Sequence, residues 1–322
     1  MWYQRRLMAR PLRVAIAGGS GEVGRALADR LAAHREVVAL TTDPRPPPGS
    51  PQGTAGLRWW SCDLTSVSEA EIALAGADVL VFLARASRPS RILHTAPTTL
   101  DLLLADAVAR ALPRTSVRRV VFFACGPDDV REQVLRASGA PLVVLRGGAP
   151  DPVAALVELV EAPLAADRDL PPWHGTAAAP KHARAGTVTS VQRLPKPKGW
   201  TARDVGEACV VWNATVPGLS VERGPESFAI RALGLRMLVL RVAPGASRPG
   251  SFALEVVGGA LTRATVPPSR FEFREAGDEV LVALTGFAPT LPWPLYRFTH
   301  ALAHGQAMDR FGRWLAQQPA KA

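Results

Sequence analysis

Tyrosine is almost missing from this 322-residue chain: there are two, Tyr3 and Tyr296, and aromatic residues of all kinds make up only 6%. Neither tyrosine is followed four residues on by lysine. Cysteine is as scarce. Cys62, Cys125 and Cys209 lie far apart and form no C-x-x-C pair. That excludes a disulfide framework and a cysteine-based zinc site, and it fits a reducing compartment, so a cytoplasmic location is expected. No uninterrupted apolar run approaches the ~18 residues of a membrane-spanning helix, so no transmembrane segment is predicted. The stretch Met1 to Pro11 is polar and basic and has no apolar core of the signal-peptide kind. The fold is expected to begin near Leu12.

Negative charge is the minority sign. Lysine and arginine total 38 against 28 acids, for a net charge of +10, and only four of the basic residues are lysines. The arginines are scattered, and few aromatics are interleaved with them. Nucleic-acid binding is therefore not expected. Charged residues are 20% and hydrophobic ones 48%, enough for packed cores in two domains.

What is present begins at Arg13-Val14-Ala15-Ile16-Ala17-Gly18-Gly19-Ser20-Gly21-Glu22-Val23-Gly24. An apolar run of strand length meets glycines spaced G-x-x-G-x-x-G. From Glu22 to Leu31 apolar residues then recur at helical spacing (Val23, Ala26, Leu27, Leu31). Glu36 to Thr41 reads as a second buried strand, ended by the prolines at 44 and 46–48. Strand, glycine turn, helix and strand within about thirty residues is the context a phosphate-binding turn requires. Gly18 permits the tight turn, Gly21 leaves room for a pyrophosphate and Gly24 lets helix and strand pack closely. The helix N-terminus offers N–H groups and partial positive charge to phosphates, and Ser20 adds a hydroxyl.

The alternation continues through strands near 57–62, 77–84, 117–124 and 141–146, with helices over 68–75, 98–111 and 130–138. Ser68 is the expected cap of the first of these helices. Repeated β-α alternation predicts a doubly wound parallel sheet of Rossmann type. Gly18 to Gly24, Asp63-Leu64, Leu80 to Ala84 and Leu142 to Gly148 resemble the extended and atypical short-chain dehydrogenase/reductase superfamily, in its NAD(P)H-binding, epimerase-like and NmrA-related branch. The resemblance covers about residues 12–150. It implies a cofactor pocket formed by Gly18, Ser20, Gly21, Glu22, Val23, Gly24 and Leu83, with Asp63 and Leu64 by the adenine and Ala84 and Arg85 near the nicotinamide ribose. An acid after the second strand favours NAD and a base there favours NADP. Thr42, Asp43 and Arg45 occupy that place, so NAD or NADP is expected, with a lean to NAD.

The resemblance also implies a Tyr-x-x-x-Lys pair and a Ser or Thr after the fifth strand, in which the phenol acts as general acid or base. This chain has Ala124-Cys125-Gly126 there and no such tyrosine. No catalytic residue is assigned. Asp128-Asp129 is expected to cap the next helix.

Domain boundaries are expected at 1–175 for the Rossmann domain, 176–187 for a linker and 188–322 for a second domain. In the second domain a strand near 188–194 and a helix over 201–212 precede alternating strands near 227–231, 237–242, 251–257, 270–274 and 279–285, and a long helix over 294–317 closes the chain. This α+β order is similar to the START-like helix-grip fold, which implies an apolar cavity for a small molecule. Tyr296, His300, Ala303, Ala307, Phe311 and Trp314 fall on one face of the last helix. Three functions remain open: hydride transfer on an apolar substrate, a catalytically degenerate nucleotide sensor or partner-binding module, and a carrier of lipid-like ligands. Oligomeric state is not readable from these features.

Overall fold

A computed structural model describes residues 11–42, 56–85, 97–124, 126, 129–164, 187–243, 248–265 and 268–321. The chain divides into two compact units, one of residues 1–86 and 101–183, the other of residues 87–100 and 184–322.

In the first unit the elements run β1 (Arg13–Ala17), α1 (Glu22–Ala32), β2 (Glu36–Thr41), β3 (Leu57–Ser61), α2 (Val67–Leu74), β4 (Val79–Phe82), α3 (Pro97–Ala111, in this unit from residue 101), β5 (Arg119–Ala124), α4 (Val130–Ala137), β6 (Leu142–Arg146) and α5 (Pro152–Glu161). The six strands form one parallel sheet in the order β3-β2-β1-β4-β5-β6. Val14 to Ala17 and Val79 to Phe82 are completely buried, as strands covered on both faces must be. One apolar cluster joins Leu40, Leu80, Phe82, Phe122 and Val108; another joins Ile16, Val81, Leu27, Leu31 and Leu156. The alternate side chains of β4 therefore feed opposite cores. The predicted Rossmann-type sheet is the one observed.

Small shifts have local causes. Ser66, not Ser68, caps α2: its hydroxyl accepts from the Glu69 N–H at 3.4 Å, while Glu69 Oε2 accepts from Asp63 N at 2.7 Å. Asp129 caps α4 as expected, accepting from Arg131 N at 3.2 Å.

The second unit runs β7 (Val188–Pro195), α6 (Ala202–Trp212), β8 (Leu219–Arg223), β9 (Ser227–Ala232), β10 (Leu235–Val242), β11 (Ser251–Gly258), β12 (Ser269–Ala276), β13 (Glu279–Phe287), α7 (Trp293–Phe298) and α8 (His300–Leu315). Its seven strands make an antiparallel sheet in the order β7-β13-β12-β11-β10-β9-β8, so the first strand pairs with the last and the rest form a meander. Thr201 and Asp204 form a reciprocal capping box that starts α6. α6 presses close to the sheet at Gly206, where a Cβ would lie 2.4 Å from the Phe252 ring. From α8, Met308, Phe311 and Leu315 enter the same apolar cluster as Phe252, Phe271 and Phe273.

Two features of this unit differ from expectation. β8 is an added strand at the sheet edge. The helix expected over 294–317 is divided at Thr299, whose backbone leaves the helical region at φ −122° and ψ −83°. Among the described residues no helix is long and apolar enough to cross a membrane.

Candidate functional site

Parallel strands bring all their C-terminal ends to one edge of the first sheet. β1 and β4 are neighbours there, although β2 and β3 lie on one side and β5 and β6 on the other. The sheet thus reverses its winding between β1 and β4, and the crevice outside those two ends is where open α/β sheets receive ligands. Gly18 follows β1, Thr42 follows β2, Asp63 and Leu64 follow β3, and Leu83 to Arg85 follow β4. The described residues of the expected cofactor pocket therefore share one edge. Asp43 and Arg45 lie outside the described residues.

The glycine turn is fixed by backbone contacts. Gly18 has φ +89°, and a Cβ on it would stand 2.8 Å from Ala84 N. Gly19 N donates to Leu40 O at 3.3 Å, and Leu83 N donates to Ala17 O at 2.8 Å. A Cβ on Gly24 would come 2.3 Å from Gly18 O and 2.9 Å from Gly19 Cα, so α1 and the turn touch through backbone. Gly21 is different. It is the exposed N-cap of α1, supplies no side-chain cap, and a Cβ there would meet only Gly18 O at 3.4 Å. Its N–H is used by Gly18 O at 3.1 Å. Ser20, Gly21 and Glu22 are exposed, Val23 is half-buried and Gly24 is buried. An uncapped helix start, facing outward from the switch point and shaped by missing side chains, is suited to an anion. The residues fit the pyrophosphate of a dinucleotide.

Around the turn, Thr42 is exposed. Asp63 Oδ1 accepts from Thr65 N at 2.9 Å and from Thr65 Oγ1 at 2.6 Å, which closes the loop after β3. Leu64 and Ala84 are buried and Leu83 is half-buried. Arg85 is exposed, with its guanidinium 3.9 Å from the Asp101 carboxylate.

The edge beyond β5 holds a residue that sequence reasoning missed. Arg131 is 3% exposed. Its Nε and Nη2 donate to the two oxygens of Asp129 at 2.8 and 2.5 Å, and its Nη1 donates to Ala84 O at 3.0 Å. Its guanidinium also lies 5.1 Å from the centroid of the Phe122 ring. Arg131 thereby ties the start of α4 to the end of β4. Nearby, Glu132 bonds Arg136 at 2.8 Å and Arg146 at 2.9 Å, and the bond from Arg136 foremost holds its carboxyl below the usual range. Ion pairs occupy the ground next to Ala124. Cys125 and Asp128 lie outside the described residues. The signal that could have found Arg131 was its place two residues after a capping aspartate, close enough to turn back on it.

Residues 18–148 match a family described as NAD(P)H-binding. Over that stretch the chain has the Rossmann-type parallel sheet of an NAD(P)H-binding domain. Over a longer span, the chain is 24% identical across 311 residues to "Auxiliary protein GraX" of Staphylococcus aureus, covering 92% of each chain. Among solved structures it is similar to the Bordetella bronchiseptica enzyme WbmG in complex with NAD, with 18% identity, TM-score 0.37, and coverage of 44% of this chain and 54% of that one. A Rossmann-fold NAD(P)-binding family protein from Shigella flexneri gives 15% identity, TM-score 0.35, and coverage of 48% and 88%. A nucleoside-diphosphate-sugar epimerase from Staphylococcus aureus gives 16% identity, TM-score 0.34, and coverage of 42% and 50%. The chain spans about half the length of WbmG and of this epimerase.

Proposed function

We propose that this protein is an NAD(P)(H)-binding regulatory module rather than a tyrosine-dependent oxidoreductase. The observation that carries the proposal is the Gly18–Gly24 cradle at the β1/β4 switch point, with an exposed, uncapped helix start at Gly21. Gly21 admits the pyrophosphate, the first N–H groups of α1 bind it, and Gly18 and Gly24 hold the turn in place. Asp63 and Leu64 flank the adenine, and Leu83, Ala84 and Arg85 line the ribose side. Asp43, two residues beyond the end of β2, favours NAD over NADP through the ribose hydroxyls. A bound nicotinamide donates or accepts a hydride, but this chain brings no Tyr-x-x-x-Lys pair to move the accompanying proton. The Staphylococcus aureus relative, matched across both units, is named an auxiliary protein, and that name supports an accessory role. A helix-grip-like second domain is part of the proposal, supported by the pairing of β7 with β13 and by the long closing helix.

The test is titration of the full chain with NADH and NADPH, followed by nucleotide fluorescence, in wild type and in Gly21→Arg. Saturable binding that Gly21→Arg abolishes is expected. Bound NADH should also remain unoxidised in the presence of aldehyde, ketone and quinone acceptors. Steady oxidation with any of them overturns the non-catalytic assignment and leaves hydride transfer in its place.

A further inference from the structure

The second unit contains a cavity of about 400 Å³ between its sheet and the helices α6 and α8. Packed interiors rarely leave voids larger than a water molecule, and this volume lies in the range of small-molecule sites, about 300–1,000 Å³. Its wall is built from every layer of the unit: Trp212 from α6, Ile230 and Leu240 from the meander, Phe271 from β12, and Met308 and Phe311 from α8. Ala303 also lines it and is exposed to solvent, so the cavity reaches the surface along α8. Among the described lining residues none carries a carboxylate, ammonium or guanidinium.

The polar groups on the wall are uncharged or weakly basic: Cys209, Asn213, Tyr296 and His304. Burial pushes both the Cys209 thiol and the Tyr296 phenol up to about 12, which keeps them neutral at physiological pH. A charged headgroup placed inside would lose its hydration and meet, among the described lining residues, no permanent charge of opposite sign and only the weakly basic His304 imidazole, a cost that apolar contacts do not offset. Asn213 is oriented by the end of α6. Its Nδ2 donates to Cys209 O at 2.9 Å and Val210 O at 3.4 Å, so its Oδ1 is the acceptor presented by that amide. A carboxamide oxygen at the edge of an apolar cavity selects for a hydrogen-bond donor on an otherwise apolar molecule.

We propose that this cavity binds a neutral, largely hydrocarbon molecule carrying a single hydroxyl group, which donates to Asn213 Oδ1. The proposal does not depend on the nucleotide assignment, because it concerns a different unit of the chain and a different chemistry.

Two probes of matched body and different headgroup test it on the full chain: 1-pyrenebutanol, which is neutral, and 1-pyrenebutyrate, which is anionic. The alcohol is expected to bind saturably at one site per chain, to be displaced by 1-hexadecanol, and to bind at least tenfold more tightly than the carboxylate. Ala307→Trp and Ala303→Trp, which fill the cavity from α8, should each weaken the alcohol tenfold or more while the circular dichroism spectrum is retained. Equal affinity for the two probes overturns the neutral ligand class. The absence of saturable binding, or undiminished binding to a folded variant of either kind, overturns the site itself.

Discussion

Replacing Gly24 by alanine sets two physical effects against each other. Gly24 lies in the first turn of α1, where helix propensity alone predicts that alanine stabilises by about 1 kcal/mol. The new methyl would, however, lie 2.3 Å from Gly18 O and 2.9 Å from Gly19 Cα, against an ordinary contact of 3.4 Å or more. Both neighbours are backbone atoms, so neither can rotate away, and α1 must move by about 1 Å from the turn or the turn must distort. Overpacking of this kind costs about 1–3 kcal/mol, and Gly18 has little freedom to yield because it is wedged against Ala84. With both contacts on fixed backbone the cost lies at the upper end of that range, about 3 kcal/mol, and after the propensity gain of about 1 kcal/mol the expected net effect is a loss of about 2 kcal/mol. Gly21→Ala is the control: its Cβ meets only Gly18 O at 3.4 Å. The small N-cap penalty is offset there by reduced unfolded-chain entropy of roughly 0.4–1 kcal/mol, leaving a change near zero. A chain of two units need not unfold in one step, so the assay is hydrogen exchange resolved to peptides spanning β1 and α1. A loss of about 2 kcal/mol appears there as exchange roughly thirtyfold faster. Exchange in Gly24→Ala that is unchanged or slower than wild type would refute the close-approach argument and return the decision to propensity.

Two other perturbations follow from the same reasoning. Cys209 and Tyr296 both have pKa values raised by burial, from 9.0 and 10.0 in the unfolded chain to about 12. Their neutral forms support folding fully below pH 9, and that support is lost as pH rises towards 12. Stability should therefore fall by up to about 1.4 kcal/mol per pH unit for each group past its unfolded value. Urea midpoints measured from pH 8 to 11 should show Cys209→Ala removing the portion that sets in near pH 9; an identical profile in that variant contradicts the assignment. In the first unit, Arg131→Ala takes the guanidinium away from Asp129 and Ala84 O, a loss of about 3 kcal/mol for a buried pair. Faster exchange is expected at the ends of β4 and β5, and a change below about 0.5 kcal/mol would show the clasp to be dispensable.

The first unit was legible because its signals are local. The strands β1, β2, β4 and β5 are short apolar runs bounded by turns, and the glycine spacing marks where β1 hands over to α1. Asp63 and Ala84 were placed with Gly18 only by the family resemblance, and the parallel sheet, which aligns all its strand ends, is the physical reason that the three share one edge. The pairing of Arg131 with Asp129 is local, but its tie to β4 was not legible, because that depends on the carbonyl of Ala84, 47 residues earlier in the chain. In the second unit, β8 (Leu-Ser-Val-Glu-Arg) is short and largely exposed, and it becomes a strand by pairing with β9. The break at Thr299 is a backbone event within a continuous helical pattern. Of the stripe on the last helix, Tyr296 and Phe311 are buried, Ala307 and Trp314 are half-buried and Ala303 is exposed, whereas the His300 side chain lies outside the description. The cavity behind that stripe could not be read from periodicity, which reports that a face is apolar but not how completely it is filled.

Direct titration with NADH and NADPH, in wild type and in Gly21→Arg, tests the central claim most closely. The open position at Gly21 predicts saturable binding well below millimolar and its loss in a Gly21→Arg protein whose β1 and α1 exchange remains that of wild type, and Asp43 predicts tighter binding of NADH than of NADPH. No binding below millimolar by the wild type, or equal binding by that variant, would contradict the placement of a dinucleotide on the Gly18–Gly24 turn.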